Sequence, residues 1–110
     1  MIYELREYVA HPGAADKLHR RFRDKTLALF ARHGLEVAGF WVDEKDPNRI
    51  VYLLKFPDAE ARKKAWQAFQ NDEEWQQVKA ASEADGPIVA SMTSRLLGPV
   101  DYWPAEQQGA

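Results

Sequence analysis

The 110-residue sequence contains no cysteine, which excludes disulfides, thiolate metal sites and a cysteine nucleophile together. It also lacks a charge excess: fifteen basic and seventeen acidic residues leave a net charge of −2. Binding to nucleic acid or to a membrane surface calls for a clear basic surplus, so neither partner is expected. No apolar run approaches the roughly 20 residues that span a bilayer. Met1-Ile2-Tyr3-Glu4-Leu5-Arg6-Glu7 carries charge within four positions, unlike a signal or transit peptide. The cytoplasm is the expected compartment. Gly34 and Gly39 have neither the Walker nor the dinucleotide spacing that cradles phosphate. Ser91, Thr93 and Ser94 have no adjacent histidine, so nothing supports nucleophilic catalysis.

What is present suffices for one domain. The length is that of a single fold, and such a chain buries roughly 65% of the surface its unfolded form exposes. Ile2 to Val9 alternates as a strand, with Tyr3, Leu5 and Val9 on one face and Glu4, Arg6 and Tyr8 on the other. A helix is expected from about Ala14 to His33, with Ala15, Leu18, Phe22, Leu29 and Phe30 at helical spacing and Gly34 as its left-handed cap. Leu35 to Asp43 and Arg49 to Phe56 read as a hairpin around Asp46-Pro47-Asn48-Arg49, which has type I turn chemistry. Asp58 caps a second helix bearing Ala61, Ala65, Trp66 and Phe69. Asn71, with Glu74 three residues on, caps a third bearing Trp75, Val78 and Ser82. Ile88 to Leu97 is the last strand, and residues 101–110 form a tail.

This order predicts an α+β, ferredoxin-like βαββαβ domain over residues 1–100 with an antiparallel four-stranded sheet. In such a domain the helices cover one sheet face, and a face left bare should be polar. Leu35 to Val42 and Ile50 to Phe56 are apolar on nearly both faces. A second copy of the sheet is the simplest cover, so a homodimer is expected.

Several segments, in order, resemble the NIPSNAP family. They are Tyr3-Glu4-Leu5-Arg6, Pro12-Gly13, His33-Gly34, Gly39-Phe40-Trp41, Asp72-Glu73-Glu74-Trp75, Ser94-Arg95-Leu96-Leu97 and Pro99. The resemblance covers roughly residues 1–100. It implies a dimeric α/β barrel, in which two ferredoxin-like sheets face each other around a cavity. The wider superfamily includes cofactor-independent monooxygenases, isomerases and haem-degrading enzymes, so it sets no single function.

Within that frame, Glu4, Arg6 and Tyr8 share a strand face. Either they line the cavity, where Arg6 holds an anionic oxygen and Glu4 manages a proton, or they form a buried network fixing dimer register. Trp41, Tyr52 and Arg95 could form an aromatic wall with a cationic corner for a flat ligand, or be packing and an exposed edge. His33 ends the long helix and is either a cap or, as the haem-handling relatives imply, an iron ligand. His11 and His19 have no ligand spacing, and no metal or other cofactor is expected. Lys17 and the run His19-Arg20-Arg21-Phe22-Arg23 wind around their helix as a solvated face with i,i+4 acidic partners. The leading expectation is a small organic ligand in the dimer cavity, with metal-independent monooxygenase- or isomerase-like chemistry. The alternative is a non-catalytic interaction or scaffold domain, which would use Tyr102-Trp103 or the helix bearing Trp75. A haem-binding protein is third.

Overall fold

Four strands and the helices between them follow the expected order in a computed structural model that describes residues 1–103. Residues 104–110, the greater part of the expected tail, lie outside the described residues. The elements are β1 (Ile2–Ala10), α1 (Ala15–Arg21), α2 (Leu27–Arg32), β2 (Glu36–Val42), β3 (Arg49–Phe56), α3 (Ala59–Gln70), α4 (Glu73–Ser82) and β4 (Val89–Leu97). The sheet order is β2-β3-β1-β4 with every neighbouring pair antiparallel. This is the ferredoxin-like arrangement.

Local chemistry explains most boundaries. At the hairpin, the Arg49 amide donates to the Asp46 carbonyl at 3.0 Å, and the Asp46 side chain accepts from the Asn48 amide at 3.0 Å. Gly34 adopts φ +80°, which a side chain would make costly. The Leu35 amide then reaches back to the Phe30 carbonyl at 2.9 Å and the Gly34 amide to Ala31 at 3.4 Å, closing α2 with a Schellman motif. Asp58 caps α3 by accepting from the Ala61 amide at 2.7 Å.

Two expectations need correction. The helix read as continuous from Ala14 to His33 is interrupted by a π-helical turn, Phe22–Thr26, in which the Leu27 amide donates to the Phe22 carbonyl. The Thr26 hydroxyl donates to the Arg21 carbonyl at 3.2 Å, a side-chain bond into the helix ladder of the kind that bends helices. The cap of α4 is Asp72 and not Asn71. The Asp72 carboxylate accepts from the Glu74 amide at 2.8 Å, while Asn71 closes α3.

The core lies between the sheet and the helices. β3 alternates strictly, with Ile50, Tyr52, Leu54 and Phe56 buried against Leu18, Phe22, Leu29, Phe30, Ala65 and Phe69. Phe30 meets Trp66 and Phe69 edge-on at 5.7 and 4.9 Å, and Phe40 stacks on Tyr52 at 5.1 Å. Register puts Tyr3, Leu5 and Val9 of β1 with Val51 and Leu53 of β3 on the opposite, open face. Trp41 and Leu97 join them there, Trp41 remaining 54% exposed. Phe30→Ala should leave a cavity where helix, sheet and α3 meet and cost about 3–5 kcal/mol, measured as a lowered urea midpoint at unchanged slope.

Candidate functional site

Glu4 is fully buried, its side chain 0% exposed, on the side of β1 that faces the helices. A carboxylate removed from water must find donors, and Glu4 has five from four residues. Arg6 Nη1 donates to Oε2 at 2.8 Å, Ser94 Oγ to Oε2 at 2.6 Å and Trp66 Nε1 to Oε1 at 2.8 Å. Arg62 forks across both oxygens, at 2.8 and 3.2 Å. Burial alone would raise the pKa of this carboxyl. The bonds from Arg62, Ser94, Trp66 and Arg6 outweigh it and hold the value down at about 2.

Arg6 is fixed in turn. Its guanidinium lies over the Trp66 ring, 4.4 Å from the centroid. Nε donates to the Tyr52 hydroxyl at 2.8 Å and Nη2 to the Tyr8 hydroxyl at 3.0 Å, while the two hydroxyls lie 2.8 Å apart. Burial works against the Arg6 charge, but the Tyr8 and Tyr52 oxygens and Glu4 more than compensate and raise its pKa further. Tyr52 is pushed up too, first by burial and then by Tyr8, so it stays a neutral phenol.

Beside this network a cleft of about 560 Å³ opens between sheet and helices. Arg6, Tyr8, Val89 and Met92 line it from the sheet, and Arg21, Phe22, Thr26 and Phe30 from the first helical layer. Trp66, Phe69 and Gln70 of α3 and Trp75, Gln76 and Lys79 of α4 close the other side. Phe69 and Trp75 pack at 4.6 Å, and Arg21 lies 5.3 Å from the Trp75 centroid while holding Ser82 and Glu83 at 3.1 and 3.2 Å. The cleft is thus aromatic on its walls and cationic at its sheet side, a surface suited to a flat molecule with an anionic oxygen.

The structure brings together Glu4, Arg6, Tyr8 and Tyr52 and separates the other candidates from them. The cleft that Arg6 and Tyr8 of this group border is the space under the helices, not the open sheet face that would meet a second copy. The grouping of Trp41, Tyr52 and Arg95 does not form. Trp41 pairs with Val51 and Arg95 with Leu5 on the open face, whereas Tyr52 pairs with Arg6 and Phe40 on the helix side. Glu4 also fits poorly as a manager of protons, since its lone pairs are committed and it stays ionised above about pH 2. His33 binds Asp72 at 2.6 Å through Nε2, and no histidine lines the cleft among the described residues. Among those residues no cluster of three metal-ligating side chains occurs, and no helix is long and apolar enough to cross a membrane. Sequence reasoning missed Arg62, Trp66 and Ser94 as Glu4 partners, and Arg21 as a lining residue. Arg62, Trp66 and Ser94 lie 58, 62 and 90 positions from Glu4, and the one available signal was a glutamate alternating into a core face.

Comparison with known proteins places this geometry. The NIPSNAP family model matches residues 3–104. An uncharacterized NIPSNAP-like domain protein from Burkholderia xenovorans is similar in structure at TM-score 0.81 and 23% identity, over 94% of this chain and 88% of that one. A NIPSNAP family protein from Agrobacterium tumefaciens gives 0.82 and 20%, over 94% and 96%. A cofactor-independent oxygenase from Streptomyces nogalater gives 0.63 and 16%, over 94% and 96%. At these identities the structures show a shared fold. A comparison with curated protein sequences gives no match.

Removing the Glu4 charge would leave Arg6 buried without its counter-ion. Glu4→Gln is expected to cost about 3–5 kcal/mol in urea unfolding near neutral pH. The folded pKa lies below the ordinary 4.5, so the Glu4 contribution is complete above that value and fades as pH falls toward 2. Wild-type stability should therefore drop over that window more steeply than that of Glu4→Gln. Parallel acid profiles would contradict the assignment.

Proposed function

The chain belongs to the NIPSNAP family, and on that premise we propose that it is a homodimer binding a small, flat organic molecule between its sheet and its helices. One observation carries the ligand: the Arg6 guanidinium, charged and clamped by Glu4, Trp66, Tyr8 and Tyr52 at an aromatic-walled cleft. A cation oriented before the ligand arrives stabilises an anionic oxygen without paying for reorganisation. Trp66, Trp75, Phe22 and Phe69 offer rings against which a planar body packs.

The reaction class proposed is a metal-independent conversion through that anionic oxygen, monooxygenase- or isomerase-like. Two structural neighbours support it by what they are called, an antibiotic biosynthesis monooxygenase and the Streptomyces oxygenase. Arg6 is the stabilising charge in this reading, and Glu4 works through Arg6. Arg95, on the open face, is assigned no part in it. The rival reading, an interaction domain, draws on Tyr102 and Trp103, which are 82% and 66% exposed.

The homodimer rests on the open sheet face. Leu5, Val9, Val51, Leu53, Trp41 and Leu97 share it, and an apolar sheet face of that kind calls for a cover. A second copy offers a face of the same composition.

Native mass spectrometry should therefore give a species of twice the 12.6 kDa chain mass, and Leu53→Glu should return it to one. A wild-type monomer would remove the dimer. For the ligand, phenols and aromatic carboxylates should quench the fluorescence of Trp66 and Trp75. Arg6→Met should weaken that quenching roughly 10- to 100-fold, the scale of a charged hydrogen bond. Absence of quenching by every compound in the wild type would refute the cleft reading.

A further inference from the structure

Between the two tyrosine hydroxyls beside Arg6 the hydrogen bonds leave one hydrogen unassigned, and counting them shows whose it is. The two tyrosine hydroxyls own two hydrogens between them, and each oxygen already accepts from Arg6, Tyr52 from Nε at 2.8 Å and Tyr8 from Nη2 at 3.0 Å. At 2.8 Å apart, one hydroxyl donates to the other. If Tyr8 donated, the Tyr52 hydrogen would need an acceptor in the core. Tyr52 is fully buried, does not line the cleft, and has no hydrogen-bond partner among the described residues beyond Arg6 and Tyr8. A buried donor without an acceptor is costly. If Tyr52 donates, its hydrogen is satisfied, and the Tyr8 hydrogen is left over. Tyr8 is only partly buried and lines the cleft.

We infer that Tyr8 is the recognition donor of the cleft, its O–H offered to a ligand oxygen that can only accept: a carbonyl, an enolate or a phenolate. The inference rests on the cleft being a ligand site, and it deepens that reading by naming the group the ligand must present. Both oxygen lone-pair positions of Tyr8 are occupied, by the Arg6 and Tyr52 hydrogens, so the hydroxyl cannot accept from a ligand alcohol or amine. Tyr52 is a positioning residue that sets this direction, and Arg6 places positive charge immediately behind the donor. Acceptors carrying negative charge are therefore preferred over their protonated forms, since charge-assisted bonds are the stronger ones.

The test uses 4-nitrophenol, whose ionised form absorbs in the visible, titrated against full-length protein across pH. The wild type is expected to bind the phenolate more tightly than the phenol by about tenfold, one unit of downward shift for the bound probe. Tyr8→Phe should lose most of that preference. Tyr8→Phe/Tyr52→Phe should lose it equally, and that variant leaves no orphaned buried hydroxyl should the single change unfold the protein. Tyr52→Phe should keep part of it, because Tyr8 still has its hydrogen to give while its freed lone pair can also accept from the neutral phenol. A preference retained in both variants lacking the Tyr8 hydroxyl, or one that appears only in Tyr52→Phe, would overturn the assignment of Tyr8. Failure of the wild type to bind either form would overturn the ligand cleft itself, and the Tyr8 inference with it.

Discussion

A carboxylate without water has to be surrounded, and around Glu4 that requirement organises three elements at once. Arg6 comes from its own strand, Ser94 from β4, and Arg62 and Trp66 from α3. Breaking any one bond leaves a buried charge short of a donor, so α3, β1 and the edge strand β4 are held to one mutual position. Such a network is weak evidence for extra stability, because an apolar core of the same volume does as well or better. What it contributes here is definition. Arg6 can lie over Trp66 and between two tyrosine hydroxyls because Glu4 fixes one of its nitrogens. The cleft inherits its cationic side from that chain of contacts.

Legibility of the fold tracked the range of the interactions. The hairpin turn, the Gly34 cap and the Asp58 cap depend on neighbours within a few positions, and all were readable. The π turn was not, because Leu18, Phe22, Thr26 and Phe30 keep a spacing that a regular helix satisfies equally well. In β2, strict two-residue periodicity would put Val37, Gly39 and Trp41 on one face. A register irregularity between Val37 and Gly39 breaks that parity, setting Val37 opposite Leu54 and Gly39 opposite Leu53. Gly39 was the available sign, since the Trp41 ring occupies the space a side chain there would need.

The site was legible by half. Glu4, Arg6 and Tyr8 stood out because charges alternating into a core strand demand partners. Which side of β1 the helices cover could not be settled from β1 alone, for Tyr3, Leu5 and Val9 make an equally good apolar face. The resolution lies in α3, where Arg62 and Trp66 sit one turn apart and converge on the same carboxylate. The sheet consequently serves two purposes, one face bordering a polar-floored cleft and the other presenting an apolar patch among the charges of Glu7, Arg49, Lys55 and Arg95.

The wall formed by α4 is attached differently from the rest. None of its residues is fully buried. Trp75 packs at a tilt on Phe69 and against Arg21, the Gln76 side-chain amide donates to the Gln70 carbonyl at 3.0 Å, and ion pairs tie the helix at its two ends. At the start, Arg32 bridges Asp72 and Glu74 at 3.0 Å each, in a largely exposed setting. At the end, Arg21 holds Ser82 and Glu83 with its own side chain nearly enclosed. Dissolved salt screens exposed pairs strongly and enclosed ones little. The grip on α4 is therefore graded in ionic strength: the exposed Arg32 pairs at its start are screened, while the 2.6 Å His33 contact to Asp72 and the Arg21 contacts at its far end, both more enclosed, are screened little.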